Sequence, residues 1–455
     1  MLGLCLLVVS CTEKEQMEVT RQPTKEKVNL ITLDPGHYHA ALVQKSMYEQ
    51  VDPTVYVYAP NGPDVRNHMR QILRFNSRPE NPTHWRQVVH TDGDFLEKML
   101  ADKHGDIVVI SGNNRRKAEY IEASINAGLH VFCDKPMCID AKGFHVLKQA
   151  FATARRNSLL LYDIMTERFN VTCILQKRLV LNKDLFGDLQ TGSIDHAAVV
   201  KESVHHFFKY VAGAPIKRPA WYFDTTQQGE GLVDVTTHLI DLVMWTCFSE
   251  ETVDYTQHVE MKQARRWPTV LTSEQYEKVT GVAGFPDYLK AKLNDDGALP
   301  CYSNGQMIFM LKDICVKLSV AWDFEAPEGG GDTHHSLFRG SKAHVTIRQG
   351  KEQNYRPEVY VEPAPGGDID EVAAALKEAV ASLQSEFPGL RSQKEGDGWH
   401  VVIPDGCRIG HEAHFRNVME TYLEYLPKGR LPDWEVSYMM AKYYITTQAL
   451  EMARK

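Results

Sequence analysis

No Cys-x-x-Cys pair occurs in this sequence, which removes a zinc ribbon and a dithiol redox motif from consideration. Two of its nine cysteines lie at the extreme N-terminus. The other seven are scattered through apolar contexts and read as buried thiols, not as a disulfide framework. A long basic run is also missing, and 51 Lys+Arg against 59 Asp+Glu leave a net charge of -8, so nucleic acid is not an expected partner. The N-terminal apolar run extends over about eleven residues, too few to span a bilayer as a helix. What remains is a globular composition, 43% hydrophobic and 24% charged, over 455 residues. That length predicts two or three domains.

The run itself, Met1-Leu-Gly-Leu-Cys-Leu-Leu-Val-Val-Ser-Cys11, ends in a small residue before a cysteine and gives way to a polar stretch from Thr12 to Lys25. It resembles a bacterial lipoprotein signal. Residues 1–11 would be the signal, Cys11 the lipidated position, and residues 12–26 a tether. The expected location is then periplasmic or outer-membrane-anchored, with membrane contact only through the lipid. No Lys or Arg precedes the run, and a misplaced start codon over a cytoplasmic protein is the alternative.

Lys27-Val-Asn-Leu-Ile-Thr-Leu33 has the apolar density of a buried strand, Asp34-Pro-Gly-His-Tyr-His39 reads as a turn, and a helix is expected from Ala40. Strand, glycine turn and helix together form a phosphate cradle of backbone N–H groups. Only Gly36 stands where Gly-x-Gly-x-x-Gly would have three glycines. Thr54 to Tyr58 is a second strand and has no acidic residue at its end to read a ribose hydroxyl, so NAD and NADP stay equally open. Residues 64–105 read as helix and loop. Asp106 to Ser111, His130 to Cys133 and Leu159 to Asp163 are further strands, with a helix from Lys117 to Asn126 between the first two. Such alternation predicts a parallel sheet covered on both faces, with its binding crevice at the carboxyl ends of the strands. Asn113 and Lys135 fall at such ends.

In the second half, Gly229 to Trp245 is apolar with a helical period, and Asp234, His238 and Asp241 at i, i+4 and i+7 would share one stripe. A helix apolar nearly all round is buried. Its ionisable stripe must therefore line a polar cleft or be paired within the protein. Trp221, Tyr222 and Phe223 just upstream suit either a wall for a sugar ring or core packing. Beyond residue 250 the segments 260–300 and 366–400 read as insertions, and Gly305 to Leu311, Ile314 to Trp322 and Lys342 to Ile347 as strands of a second sheet. His205-His206, His334-His335 and the pair His411 and His414 have no third ligand in sequence, and no metal site is expected.

Four of these features, in this order, resemble the glucose–fructose oxidoreductase / inositol dehydrogenase / MocA-like family. Ile110-Ser-Gly-Asn113 is similar to its cofactor-contacting loop, and Cys133-Asp-Lys-Pro-Met137 to its Glu-Lys-Pro motif with Asp134 in the place of Glu. Phe186-Gly-Asp-Leu189 resembles its link into the second domain, and Asp234-x-x-x-His238 its catalytic signature. The resemblance implies an α/β and α+β chain: an N-terminal Rossmann-type parallel sheet over 27–165, then a second domain over 166–455 with an open mixed/antiparallel sheet that binds substrate and supports a dimer or tetramer. It further implies NAD or NADP, held tightly if the protein is exported, contacted by Gly36, His37, His39, Asn113 and Lys135. The substrate would be a small-molecule sugar or glycoside. His238 would accept the hydroxyl proton, Lys135 would polarise the reacting oxygen, Asp234 would orient the substrate and His238, and Trp221 would bind the sugar. An NAD-dependent glycosidase of the same fold, or a saccharide-binding lipoprotein without chemistry, are the alternatives.

Overall fold

A computed structural model describes residues 27–211 and 214–455. The signal, the tether and Cys11 lie outside the described residues. Two sheets organise the chain. The first joins β1 (Val28–Leu33), β2 (Val51–Tyr58), β3 (Arg86–His90), β4 (Ile107–Ile110), β5 (His130–Asp134) and β6 (Leu161–Ile164), all parallel, in the order β3-β2-β1-β4-β5-β6. Strand order reverses between β1 and β4, the point at which a doubly wound sheet opens a crevice. Ile-Val-Val-Ile of β4 is buried throughout, as a strand covered on both faces must be. Edge strand β3 is the opposite case. Its Arg-Gln-Val-Val-His is largely exposed, and this strand, within a stretch expected to be helix and loop, has no apolar face to announce it.

The second sheet comprises β7 (Val199–Phe208), β10 (Val259–Leu271), β11 (Leu299–Leu311), β12 (Ile314–Glu325), β13 (Thr333–Arg339), β14 (Ala343–Gln349), β15 (Glu358–Pro363), β16 (Arg391–Glu395) and β17 (Gly398–Val402). A two-residue ribbon, β8 (Tyr210–Val211) and β9 (Ala214–Pro215), hangs off it. The order is β10-β11-β12-β7-β13-β14-β15-β17-β16, antiparallel except where β12 runs parallel to β7. Segment 260–300 therefore supplies an edge strand and two short helices, and segment 366–400 a helix and the hairpin of β16 and β17, so both belong to the fold.

Helices Val171–Leu181, Thr236–Cys247 and Asp433–Arg454 pack over the second sheet. The last helix serves both cores: Tyr438, Ala441 and Ile445 face the second, Met439, Met440 and Tyr443 the first. A buried ionic network pins this junction. Arg168 grips Asp241 at 2.6 and 2.8 Å and Glu435 at 2.9 Å, and Lys442 bridges Asp163 at 2.7 Å and Asp241 at 2.9 Å. Asp241 is thus paired within the protein, one of the two outcomes open to an ionisable residue on a buried helix. No helix among the described residues is long and apolar enough to cross a membrane.

Candidate active site

The carboxyl ends of β1, β4 and β5 meet the start of the helix Thr236–Cys247, and the charged groups expected from sequence converge there. Lys135, directly after β5, donates from Nζ to Asp234 Oδ1 at 2.6 Å. Gln228 Nε2 donates to the other oxygen of Asp234 at 3.1 Å. Burial pushes the Asp234 carboxyl up, but the Lys135 charge and these two hydrogen bonds outweigh it and hold the group ionised. His238 lies half-buried in the first turns of the helix. Burial first, then the Lys135 charge, lower its pKa well below the usual imidazole value, so it is neutral at physiological pH. Its Nδ1 is buried without a hydrogen-bond partner.

Asp234 reaches this point from a turn and not from the helix. The helix begins at Thr236, and Asp234 sits at φ -104°, ψ -92° after the single turn Gly231–Val233. Thr236 and Thr237 donate their hydroxyls back to the carbonyls of Leu232 at 2.6 Å and Asp234 at 2.5 Å, which stabilises the tight turn in competition with a helical start. The expected three-residue stripe is therefore corrected to two members, His238 and Asp241. Gly231 permits the turn's position: a Cβ there would stand 1.9 Å from the Ser303 carbonyl oxygen on β11.

The crevice at the switch point has a volume of about 520 Å³, lined among others by Asp34, Pro60, Asn113, Arg115, Arg116 and Gln227. Asp34 adopts φ +48°, the left-handed conformation a first glycine would otherwise supply and one that Asp tolerates better than most residues. Asn113 caps the turn after β4, accepting from Arg115 N at 3.0 Å, and donates across the domains to Gln227 at 2.7 Å. Gly112 is required by packing: its Cβ would lie 2.2 Å from the backbone oxygen of Asp34. A Cβ on Gly36 would meet Asp64, Asn113 and Trp221 at 3.2–3.3 Å. Arg115 and Arg116 give the crevice the positive charge that a dinucleotide's phosphates require, Arg116 being paired there with Glu119 at 2.5 Å.

Trp221 stands over this turn, donating Nε1–H to Asp64 at 3.1 Å, with its ring 3.3 Å from where a Gly36 Cβ would stand. Tyr222, Phe207 and Trp322 beside Asp234 are buried in the second core, around a cavity of about 10 Å³ that is too small for a sugar ring. His37 and His39 turn toward Asp134: their Nδ1 atoms lie 3.5 and 3.0 Å from its Oδ2, which also accepts from Ser111 Oγ at 3.0 Å. Burial pushes His39 down to about 3. Sequence reasoning missed Gln227 and Gln228, which belong to no motif. It also missed His411, whose ring centroid is 5.6 Å from that of His39 and whose Nε2 lies 3.3 Å from Thr166 Oγ1.

Residues 55–162 match the family described as "Oxidoreductase family, NAD-binding Rossmann fold", and residues 175–454 match "Putative oxidoreductase C terminal domain". A solved structure of a "putative oxidoreductase" from Parabacteroides merdae is 49% identical with a TM-score of 0.92, covering 94% of this chain and 98% of that one. More distantly, the fold is shared with KijD10, a 3-ketoreductase from Actinomadura kijaniata solved with NADP and TDP-benzene (12% identity, TM-score 0.54, 92% and 96% of the two chains). It is also shared with GenD2 from gentamicin A biosynthesis, solved with NAD (14%, 0.56, 96% and 97%). An "uncharacterized oxidoreductase" of Schizosaccharomyces pombe is 28% identical over 147 residues, 32% of this chain. The match spans about a third of that relative's length, 35%.

Proposed function

Since the chain belongs to the oxidoreductase family that these two models describe and carries its NAD(P)-binding Rossmann domain, we propose that it transfers hydride between a secondary hydroxyl of a sugar or glycoside and a nicotinamide cofactor. The observation that carries this reading is the Lys135–Asp234 ion pair, closed between the two domains at 2.6 Å beside a neutral His238. NAD or NADP, when bound, supplies the hydride acceptor. Asn113, Arg115, Arg116 and the backbone at Gly36 and Gly112 would hold it in the crevice.

The chain's own residues do the rest. Lys135 Nζ keeps donors beyond the one used by Asp234, and an ammonium aimed at the reacting oxygen stabilises the negative charge that grows there as hydride leaves. Asp234 fixes that ammonium and offers its second oxygen, with Gln228, to a neighbouring hydroxyl. His238 is neutral and can accept the hydroxyl proton as general base. The depressed pKa keeps the imidazole unprotonated but weakens it as a base, so proton acceptance depends on Lys135 stabilising the developing alkoxide. The 3-ketoreductase among the fold relatives favours C3 of a pyranose as the reacting carbon.

The same reading extends to surroundings. Cys11 carries a lipid anchor, the protein works on the periplasmic side of a bacterial envelope as a dimer or tetramer, and its cofactor is retained through turnover. The test is to denature purified protein and identify any released NAD(P), then to supply a panel of methyl and nitrophenyl glycosides. A 3-keto glycoside with reduced cofactor supports a dehydrogenase. Free aglycone without net reduction identifies the glycosidase chemistry instead. Saccharide binding with neither product rejects enzymatic function.

A further inference from the structure

One cluster near the site is left unused by hydride transfer. His37 and His39, at i and i+2 in the turn after β1, and Asp134, the last residue of β5, bring two ring nitrogens and a carboxylate oxygen within 4.8 Å of one another. Both imidazoles present the same atom, Nδ1, to the same oxygen, Oδ2, at 3.5 Å for His37 and 3.0 Å for His39. A hydrogen bond explains one of these approaches. The second is harder to explain that way, because Oδ2 already accepts from Ser111 Oγ at 3.0 Å, and His37 Nδ1 is itself contacted by the His39 backbone N–H at 3.4 Å. That last contact requires a lone pair on His37 Nδ1, which then faces the carboxylate with no proton between them.

The geometry points to a divalent transition-metal site formed by His37 Nδ1, His39 Nδ1 and Asp134 Oδ2. Bonds of about 2.0–2.1 Å to zinc place neighbouring ligand atoms roughly 2.8–3.0 Å apart in an octahedral and roughly 3.3–3.4 Å apart in a tetrahedral arrangement, close to the two imidazole–carboxylate separations of 3.0 and 3.5 Å. Two imidazoles with one carboxylate select zinc, cobalt, nickel or iron(II) over magnesium and calcium, which take all-oxygen shells. Three protein ligands leave a coordination position for water or a substrate oxygen. The ion has a route in: His37 is a quarter exposed, at 25%, while His39 and Asp134 are at 10% and 5%. Ser111 orients the carboxylate as outer-shell partners of metal ligands do. Lys117 Nζ, 2.8 Å from the Asp134 carbonyl, opposes a second positive charge and keeps affinity moderate.

The experiment is performed on the full protein without substrate or added cofactor, so its result is independent of the hydride-transfer reading. Chelator-stripped protein is titrated with Co²⁺, followed by its visible ligand-field bands, and with Zn²⁺ by calorimetry. The expectation is one ion per chain, with affinity reduced roughly tenfold or more in both His37→Ala and His37→Phe. The phenylalanine keeps a ring in the turn while removing its nitrogens, and a thermal melt certifies that each variant is folded. Absence of saturable binding overturns the proposal. So does stoichiometric binding that both variants retain, because the ion then sits elsewhere, for instance among His205, His206 and Asp332.

Discussion

Replacing Lys135 with methionine removes one charge while keeping the length of the side chain, and the structure fixes three consequences. The ammonium 2.6 Å from Asp234 Oδ1 is the group proposed to meet the reacting oxygen. Loss of one preorganised donor to a developing oxyanion costs roughly 10²–10³ in turnover, about 3–4 kcal/mol. Asp234 keeps only its bond from Gln228. Removing one partner of a buried pair costs about 3–5 kcal/mol, an upper bound here because both side chains are slightly exposed, 13% and 9%. Lys135 is also the charge that, after burial, most lowers His238, so the pKa of His238 rises toward its ordinary value. The assay is NAD(P)-linked kcat/KM across pH, with a thermal melt of the same samples. Lys135→Met should be slow and less stable, and should show an acid limb that the parent lacks. Adding Asp234→Asn removes the orphaned carboxylate and should recover stability without recovering turnover. Undiminished turnover in a folded Lys135→Met protein would refute the assignment of this lysine.

Three further outcomes follow from particular contacts. Gly112→Ala places a Cβ 2.2 Å from the Asp34 carbonyl oxygen, backbone against backbone. Titration of nucleotide by fluorescence quenching should show weakened binding with the fold retained, and unaltered affinity would mean that the crevice lies elsewhere. Arg168→Met strips Asp241 and Glu435 of their bidentate partner in a buried setting and should cost on the order of 3–5 kcal/mol in urea unfolding; a change within error would show the network to be dispensable. His68 is buried with both ring nitrogens unpartnered, and burial lowers it from 6.5 to about 4. Below pH 6.5 the unfolded chain takes up a proton that native His68 refuses until about pH 4, so the stability present at neutral pH falls through that window. The loss from this residue is about 2 kcal/mol near pH 5, and His68→Leu should flatten that part of a melting-temperature profile.

Legibility from sequence followed burial. β1, β4 and β5 are covered on both faces and announce themselves as apolar runs, and Asn113 and Lys135 follow the ends of β4 and β5 as the strand pattern indicates. Strands β3 and β10 are sheet edges with mixed polar composition, and without a buried face they carry no period to read. Asp234 was identified while its conformation was not, because the threonine back-bonds that make the turn are invisible in a hydrophobic pattern. Trp221 stands over Gly36, and nothing local in the sequence distinguishes that position from one beside Asp234. Gln227, Gln228 and His411 arrive through tertiary packing, His411 from a helix that returns from the far end of the chain to the first core. The pairing of His37 and His39 with Asp134 joins residues nearly a hundred positions apart, and two histidines in a turn do not predict it.

The central claim is that Lys135, Asp234 and His238 serve hydride transfer from a sugar hydroxyl to a nicotinamide held in the β1/β4 crevice. It is tested most directly by a single turnover in which protein loaded with oxidised cofactor is mixed with a glycoside deuterated at C3, and both products are analysed by mass spectrometry. The account predicts deuterium on the reduced nicotinamide and a keto group at C3, with both formed roughly 10²–10³-fold more slowly by Lys135→Met. A protein that takes up no nicotinamide cofactor, or a sugar that is consumed with its deuterium unmoved, would contradict it.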